Sequence, residues 1–373
     1  MQMYQTYIWQ NSNWPHFTYD LTGYQAILQE ICYQQGLLDG ISKGLSEDHL
    51  LELQSETLAL DAVTTSEIEG EVLSRDSVRS SIFKKLGLRN EDNDRSTVQT
   101  DGLIDVLLDA SNNRDKLFTP DRLFSWHAAL FPTGYSGMLK INVASYRGEE
   151  SMQVVSGPIG KEKVHYVAPP RDQVEIEMEH FLKYINTSIN DNGYVKAAIA
   201  HLWFVIIHPM DDGNGRIARA LSDMLLARAE NSLVRLYSMS AAINDNKRGY
   251  YDILEQTTCS DMNITAWIGW FLETVLQAQK NAHKTIETVL VKTKYWQVHL
   301  HTELNPRQIK MLNRLLDAGS DGFEGGMNAR KYASLCSCSR VTASRDLSDL
   351  VDKGCLVQRD AGGRSTSYDL MIK

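Results

Sequence analysis

The stretch Ala197-Ala-Ile-Ala-His-Leu-Trp-Phe-Val-Ile-Ile-His208-Pro-Met-Asp-Asp-Gly-Asn-Gly-Arg-Ile-Ala-Arg219 decides the fold and most of the chemistry of this chain. Its first eleven residues are apolar on nearly every side of a helix, which marks a helix buried all round. That run delivers His208 at its end. A Gly-Asn-Gly loop then opens a second helix, expected to start at Asn214 or Gly215 and run to about Ala229. A buried helix, a loop and a second helix form a rigid mount for chemistry. The inventory of the loop suits a polyphosphate: small glycines let backbone N–H groups converge on anionic oxygens, and the following helix presents its positive end. Arg216 and Arg219 share a helical face and can grip one anion. Asp212 can hold a hydrated Mg²⁺ that bridges phosphates, and His208 can take a proton from an incoming hydroxyl.

Taken alone, Asp-Asp-Gly-Asn-Gly is an ordinary turn composition, but the whole set is not ordinary. It lacks the Gly-Lys-Ser/Thr ending of a P-loop and the acidic spacing and distal Glu of an EF-hand. His201, on the same helical side as His208, reads as a hydrogen-bonded core histidine rather than half of a metal pair.

The string resembles the signature of Fic proteins, His-Pro-Phe-x-Asp/Glu-Gly-Asn-Gly-Arg-x-x-Arg. It departs from that signature at Met210, where a flexible apolar side chain stands in for the family's Phe beneath the loop. The resemblance implies transfer of AMP from ATP to a protein hydroxyl, with His208 as general base and Asp212 as the Mg²⁺ carboxylate. Asn214, with the Gly213 and Gly215 amides, would line the phosphate hole, and Arg216 and Arg219 would hold the outer phosphates.

Other segments gain meaning from that resemblance. Ser151 to Pro170 contains two β-favouring runs separated by Gly and Pro, the pattern of a hairpin. In a Fic-like setting it corresponds to the flap, which holds the target by strand addition, with Val155, Ser156 and Gly157 nearest the nucleotide. Tyr250 and Tyr251 resemble the family's adenine-side residues, against a plain reading as two half-buried core tyrosines. From Leu50 to Gly70 the composition is helical; Thr65 and Glu69 project from one face, and Gly70 suits a helix end. Thr65-Ser-Glu-Ile-Glu69-Gly70 resembles the family's inhibitory string Ser/Thr-x-x-x-Glu-Gly/Asn. A Glu69 carboxylate paired with Arg219 would occupy the cation that should hold the γ-phosphate. The aromatic, polar opening around Trp9 to Phe17 resembles an uncharacterised module often found ahead of Fic domains. Ser74 and Gly87 bracket a capped helix, and Thr119-Pro120 marks another helix start.

Bulk properties agree. A chain of 373 residues makes two or three domains with ample core. A net charge of −9 argues against a dominant nucleic-acid or membrane footprint. The five cysteines are scattered and Cys336-Ser-Cys338 lacks zinc-site spacing, so they read as reduced thiols. The N-terminus has no signal-peptide pattern and the apolar run before His208 is too short to span a bilayer, so a cytoplasmic protein is expected.

From Asn305 the character changes. Arg307 to Leu316, Ala329 to Cys336 and Ser339 to Gly354 read as helices, and Leu356 to Leu370 reads as two strands around Asp-Ala-Gly-Gly. The whole resembles a winged helix-turn-helix domain. It holds 11 Lys/Arg against 8 Asp/Glu. Arg340, Thr342, Ser344 and Arg345, with Arg359 and Arg364 in the wing, could meet DNA phosphates and bases; Asp346, Asp349 and Asp352 oppose this, and docking to protein stays open.

The expected fold is mainly α: a helical N-terminal domain over 1–95 containing the inhibitory helix, a Fic-like helical core with a β-hairpin flap over 96–288, and a winged-helix-like domain over 289–373. The implied partners are ATP with Mg²⁺ and a target protein bearing a Ser, Thr or Tyr hydroxyl, the protein itself included; DNA through the C-terminal domain and a homodimer are left open. The competing reading is a DNA-binding regulator whose Fic core senses nucleotide. Fic relatives that remove AMP or move another phosphate-containing group are not separated by the motif.

Overall fold

The computed structural model describes residues 6–88, 94–156, 163–187, 192–232, 234–318, 326–359 and 366–372. By internal contacts the chain divides into two units, 1–45 with 54–279 and 46–53 with 280–373. The first unit contains α1 (Gln25–Gly44), α2 (Glu47–Ile68) from residue 54 on, α3 (Arg75–Leu86), α4 (Val98–Asn112) and α5 (Pro120–Leu130). There follow the short antiparallel pair β1 (Tyr135–Ser136) and β2 (Leu139–Lys140), and the hairpin strands β3 (Gln153–Ser156) and β4 (Lys163–Val167). The unit continues with α6 (Val174–Asn186), α7 (Gly193–Ile207), α8 (Asn214–Glu230), α9 (Met239–Asp245), α10 (Lys247–Thr258) and α11 (Thr265–Val298) as far as residue 279.

Helix α7 is the core of that unit. Every residue from 197 to 204 is buried, as an apolar run with no polar face requires. Each fully buried Leu, Ile or Phe there contributes about 1.5–3 kcal/mol from apolar burial. Asn192 starts the helix by accepting the Tyr194 N–H. The other starts follow the same chemistry: Ser74 caps α3, and Thr119, with Pro120 next to it, caps α5, each cap worth about 1 kcal/mol.

The end of α2 positions the site. Gly70 N–H donates to Glu67 O at 3.1 Å and Glu71 N–H to Ser66 O at 2.9 Å, while Gly70 adopts φ 82°. This is the Schellman termination, which needs a left-handed residue that only glycine supplies without strain. It fixes Glu69 and Glu71 on either side of Gly70.

The second unit contains the rest of α11, then α12 (Pro306–Leu316), α13 (Ala329–Cys336), α14 (Arg340–Asp352) and the antiparallel pair β5 (Leu356–Gln358) and β6 (Tyr368–Leu370). Its core gathers Tyr295, Met311, Leu312, Tyr332, Leu347 and Leu350, and the Tyr295 hydroxyl donates to Cys355 O at 2.7 Å. Asp346 faces inward, accepting from Tyr332, Asn305 and Arg307. Arg340, Ser344 and Arg345 are exposed. Thr342 is half-buried at the Ser339 cap, Arg359 is paired with Asp369, and Arg364 lies outside the described residues. No helix among the described residues is long and apolar enough to cross a membrane.

Candidate active site

The α7–α8 connection is held by its own backbone. His208 closes α7 in a left-handed conformation, φ 51° and ψ 57°, and donates its N–H to Phe204 O. For a residue with a side chain that geometry costs about 1–2 kcal/mol, so neighbours must impose it. Arg147 does: it is 2% exposed, and its Nε donates to His208 O at 2.9 Å and its backbone N–H to Pro209 O at 2.8 Å. The His208 ring is fixed by Nδ1 to Val205 O at 3.2 Å; with the proton on Nδ1, Nε2 carries the free lone pair. Burial lowers the pKa of the imidazole, and the nearby Arg147 charge adds to the shift, which keeps that lone pair available near neutrality.

The loop itself is clamped from inside. Met210 is fully buried. Asn214 accepts from Met210 N–H at 3.0 Å and donates to Met210 O at 2.9 Å. Its side chain thus shapes the loop. Asp211 accepts from the Asn142 and Gly148 N–H groups at 2.7 and 3.0 Å. Asp212 accepts from the Gly213 N–H at 2.6 Å and from the Ser136 hydroxyl. Beneath, His127 receives the Ala144 N–H on Nδ1, so its Nε2–H donates to Asp212 O at 3.2 Å. Arg147, His127 and Asp211 brace the site, and nothing local in their sequence singles them out.

Two arginines line the start of α8, whose first N–H groups have no partners within the helix. Arg219 is 2% exposed. It donates from Nε to Thr65 Oγ1 at 2.7 Å, and from Nη2 to Thr65 O at 3.0 Å and Glu69 Oε1 at 2.6 Å. Burial works against its charge, and Glu69 together with Tyr250 and Tyr251 outweighs that, so its pKa rises. Arg216 stacks over Phe131, 4.9 Å from the ring centre, and donates to Glu71 Oε2 at 3.0 Å. Arg219 Nη1 and Arg216 Nε, both buried, have no acceptor among the described residues. A Cβ on Gly215 would stand 2.2 Å from Glu69 Oε1. Glycine at 215 therefore permits an anionic oxygen to approach the helix start this closely.

The tyrosine pair divides. Tyr250 is a core residue, 2% exposed, its hydroxyl 2.9 Å from His201 Nε2. His201 is the core histidine that its apolar surroundings call for, also 2.8 Å from Ser222 Oγ, with burial lowering its pKa to about 3. Tyr251 keeps an exposed ring and donates its hydroxyl to Ile68 O at 3.0 Å. In the hairpin, β3 and β4 pair with a register shift at Val154/Val155, Val155 is exposed, and no third strand joins the pair among the described residues; on β4, Val167 O accepts from Trp9 Nε1 at 2.8 Å. Gly157 and the turn lie outside those residues.

Farther along α2, Asp61 and Asp223 share one guanidinium. Arg235 lies 3.2 Å from Asp61 Oδ2 and also pairs with Asp223, all three deeply buried, and the Ser238 hydroxyl donates to Asp61. Burial, with the Asp223 charge beside it, raises the Asp61 pKa to about 7.

For a metal, the chain offers little of its own: among the described residues there is no cluster of three or more His, Cys, Asp or Glu placed to hold one. Asp212 alone, with acceptor positions beyond its two hydrogen bonds, fits Mg²⁺ that arrives on a phosphate rather than a resident ion.

Residues 117–226 match the Fic/DOC family model, and residues 7–88 match a domain of unknown function, DUF4172. Over 99 residues the chain is 32% identical to the Protein adenylyltransferase Fic of Aedes aegypti; the match takes in 26% of this chain and 19% of that protein. The chain thus spans about a fifth of the length of that curated relative. A crystal structure of a Fic family protein from Desulfovibrio desulfuricans G20 superposes with a TM-score of 0.53 at 18% identity, covering 94% of this chain and 97% of that one. A Fic domain containing signalling protein from Bacteroides thetaiotaomicron VPI-5482 gives 0.51 at 14% identity, over 70% and 96%. At such identities the likeness is one of fold. With the motif, the family match and these neighbours in agreement, residues 117–226 form a Fic/DOC family domain.

Proposed function

We propose that this protein is a Mg²⁺-dependent adenylyltransferase that moves AMP from ATP to a Ser, Thr or Tyr hydroxyl of a protein and is held in check by Glu69. One observation carries the reading: Glu69 Oε1 sits 2.6 Å from Arg219 at the start of α8, over a glycine that could not bear a Cβ there. A site that accepts a carboxylate oxygen between a buried arginine and a helix N-terminus is a phosphate site.

The chemistry follows from the residues. His208 Nε2 takes the proton of the target hydroxyl, whose oxygen attacks the α-phosphorus. A new P–O bond forms to the target, the bond to the bridging oxygen breaks, and pyrophosphate carries away the electron pair. Arg216, Arg219 and the first N–H groups of α8 balance the leaving charge. Mg²⁺ on Asp212 would neutralise phosphate charge when bound. Tyr251 offers a ring for the base, and the outer edge of β3, with Val155 exposed, suits an extended target segment. While Glu69 holds Arg219, the outer phosphates lack that cation and the α-phosphate is out of line.

A second reading has its own observation. Of the acids that oppose DNA binding by α14, Asp346 points into the second unit's core and Asp349 is tied to Lys353 and Gln308, while Asp352 stays exposed. The exposed face keeps Arg340, Ser344 and Arg345. The C-terminal unit then acts as a winged-helix reader of duplex DNA. Binding that weakens steeply between about 50 and 200 mM salt supports this; no binding at the lower salt rules it out.

A further inference from the structure

Glu69 is not the sole acid on these arginines. The Schellman turn at Gly70 places Glu71 one residue beyond it, and Glu71 Oε2 lies 3.0 Å from Arg216 Nη1. Among the described residues, no other carboxylate pairs with Arg216. Arg216 is buried against the Phe131 ring, which leaves its guanidinium to be met from the Glu71 side.

We propose that Glu71 is a second restraining residue, filling the Arg216 anion subsite as Glu69 fills that of Arg219. This rests on the adenylyltransferase reading and deepens it. Two carboxylates on two arginines, set one helical turn apart, stand where two successive anionic groups of a ligand would sit. The ligand that displaces both therefore carries a chain of phosphates, as a nucleoside di- or triphosphate does. In the structure each arginine holds its own carboxylate, so a single phosphate is expected to fill one subsite and a chain of phosphates both. Each guanidinium keeps one buried N–H without an acceptor, Arg219 Nη1 and Arg216 Nε, so the carboxylates fill the two subsites only in part.

The two contacts differ in weight. The Glu71 side chain is 46% exposed against 32% for Glu69, while their partners are both buried. A more exposed pair is weaker and more readily screened. Removing the Glu71 charge should tighten ATP binding by about two- to fivefold, the range of an exposed ion pair.

The test uses the full chain as wild type, Glu69→Gly, Glu71→Gln and the double variant, titrated calorimetrically with ATP, ADP and AMP at low and high salt. Glu71→Gln keeps the backbone cap, so the turn persists. The expected result is tighter ATP and ADP binding, unchanged AMP binding, a gain that shrinks with salt, and a similar further gain on the Glu69→Gly background. Glu71→Gln binding ATP as wild type does in both backgrounds overturns the proposal. So does equal tightening of AMP and ATP, which signals only a loosened helix end. A Glu69→Gly protein that binds ATP no better than wild type speaks against the reading of Glu69, and Glu71 is still judged by its own ATP-to-AMP ratio.

Discussion

Helix α2 is held at two places, and the two are built differently. At Asp61 it meets Arg235 and Asp223, a charged group shut away from water with a hydroxyl from Ser238. Two turns later, at Glu69, it meets Arg219 through a side chain that remains 32% exposed at the mouth of the site. Breaking a buried pair strands a charge in low dielectric, whereas an exposed carboxylate can leave for water. The first contact is an anchor; the second, on the proposed function, is a latch that a competing anion displaces. A restraint of this proposed design would be released without unfolding the helix that carries it.

Breaking the anchor has the largest expected effect. Arg235→Ala leaves Asp61 and Asp223 buried without a cation and should lower stability by about 3–5 kcal/mol, read as a fall in urea midpoint. A loss under about 1 kcal/mol would mean that the two contacts of α2 are built alike. A smaller effect comes from pH. The Asp61 pKa is raised to about 7 by burial and by Asp223, far above its value in the unfolded chain. The folded state therefore holds the extra proton, and this group's contribution to stability is lost as pH rises from about 4 through about 7. Asp61→Asn removes that titration, so its stability should decline less than that of wild type between pH 5 and pH 8. Glu230, also raised to about 7 by burial, keeps part of the slope in both proteins. Equal slopes would remove Asp61 from the anchor.

What the sequence revealed was local, and what it hid was long-range. The helix from Asn214, the caps at Ser74 and Thr119 and the strands flanking residues 157–162 all follow from patterns a few residues long. The juxtaposition of Thr65 and Glu69 with Arg219 was legible only through the family resemblance, since about 150 residues separate them. Tyr250 and Tyr251 look equivalent as a string, yet Tyr250 shares the buried face of α10 with Leu254 and Thr257, and Tyr251 lies a third of a turn away. Asp346 shows the same effect: its charge counted against DNA binding until its position beside Ala343, Leu347 and Leu350 placed it inside. The part Asn214 plays in the loop itself was equally hidden: its amide matches the Met210 backbone and closes on it. Asp61, Asp223 and Arg235 carry no pattern at all, because only the packed chain brings them together.

The central claim, that a competent site is restrained by a carboxylate on Arg219, is tested most directly by AMP incorporation. Wild type, Glu69→Gly and Glu69→Gly with His208→Ala are incubated with ATP labelled on the α-phosphate, in cell extract and alone. Losing a charged hydrogen bond worth about 1.5–3 kcal/mol should raise the transfer of label to protein by about 10- to 100-fold in Glu69→Gly. The added His208→Ala should then return it to background. Label transfer by Glu69→Gly no faster than by wild type, or undiminished without His208, would contradict the account.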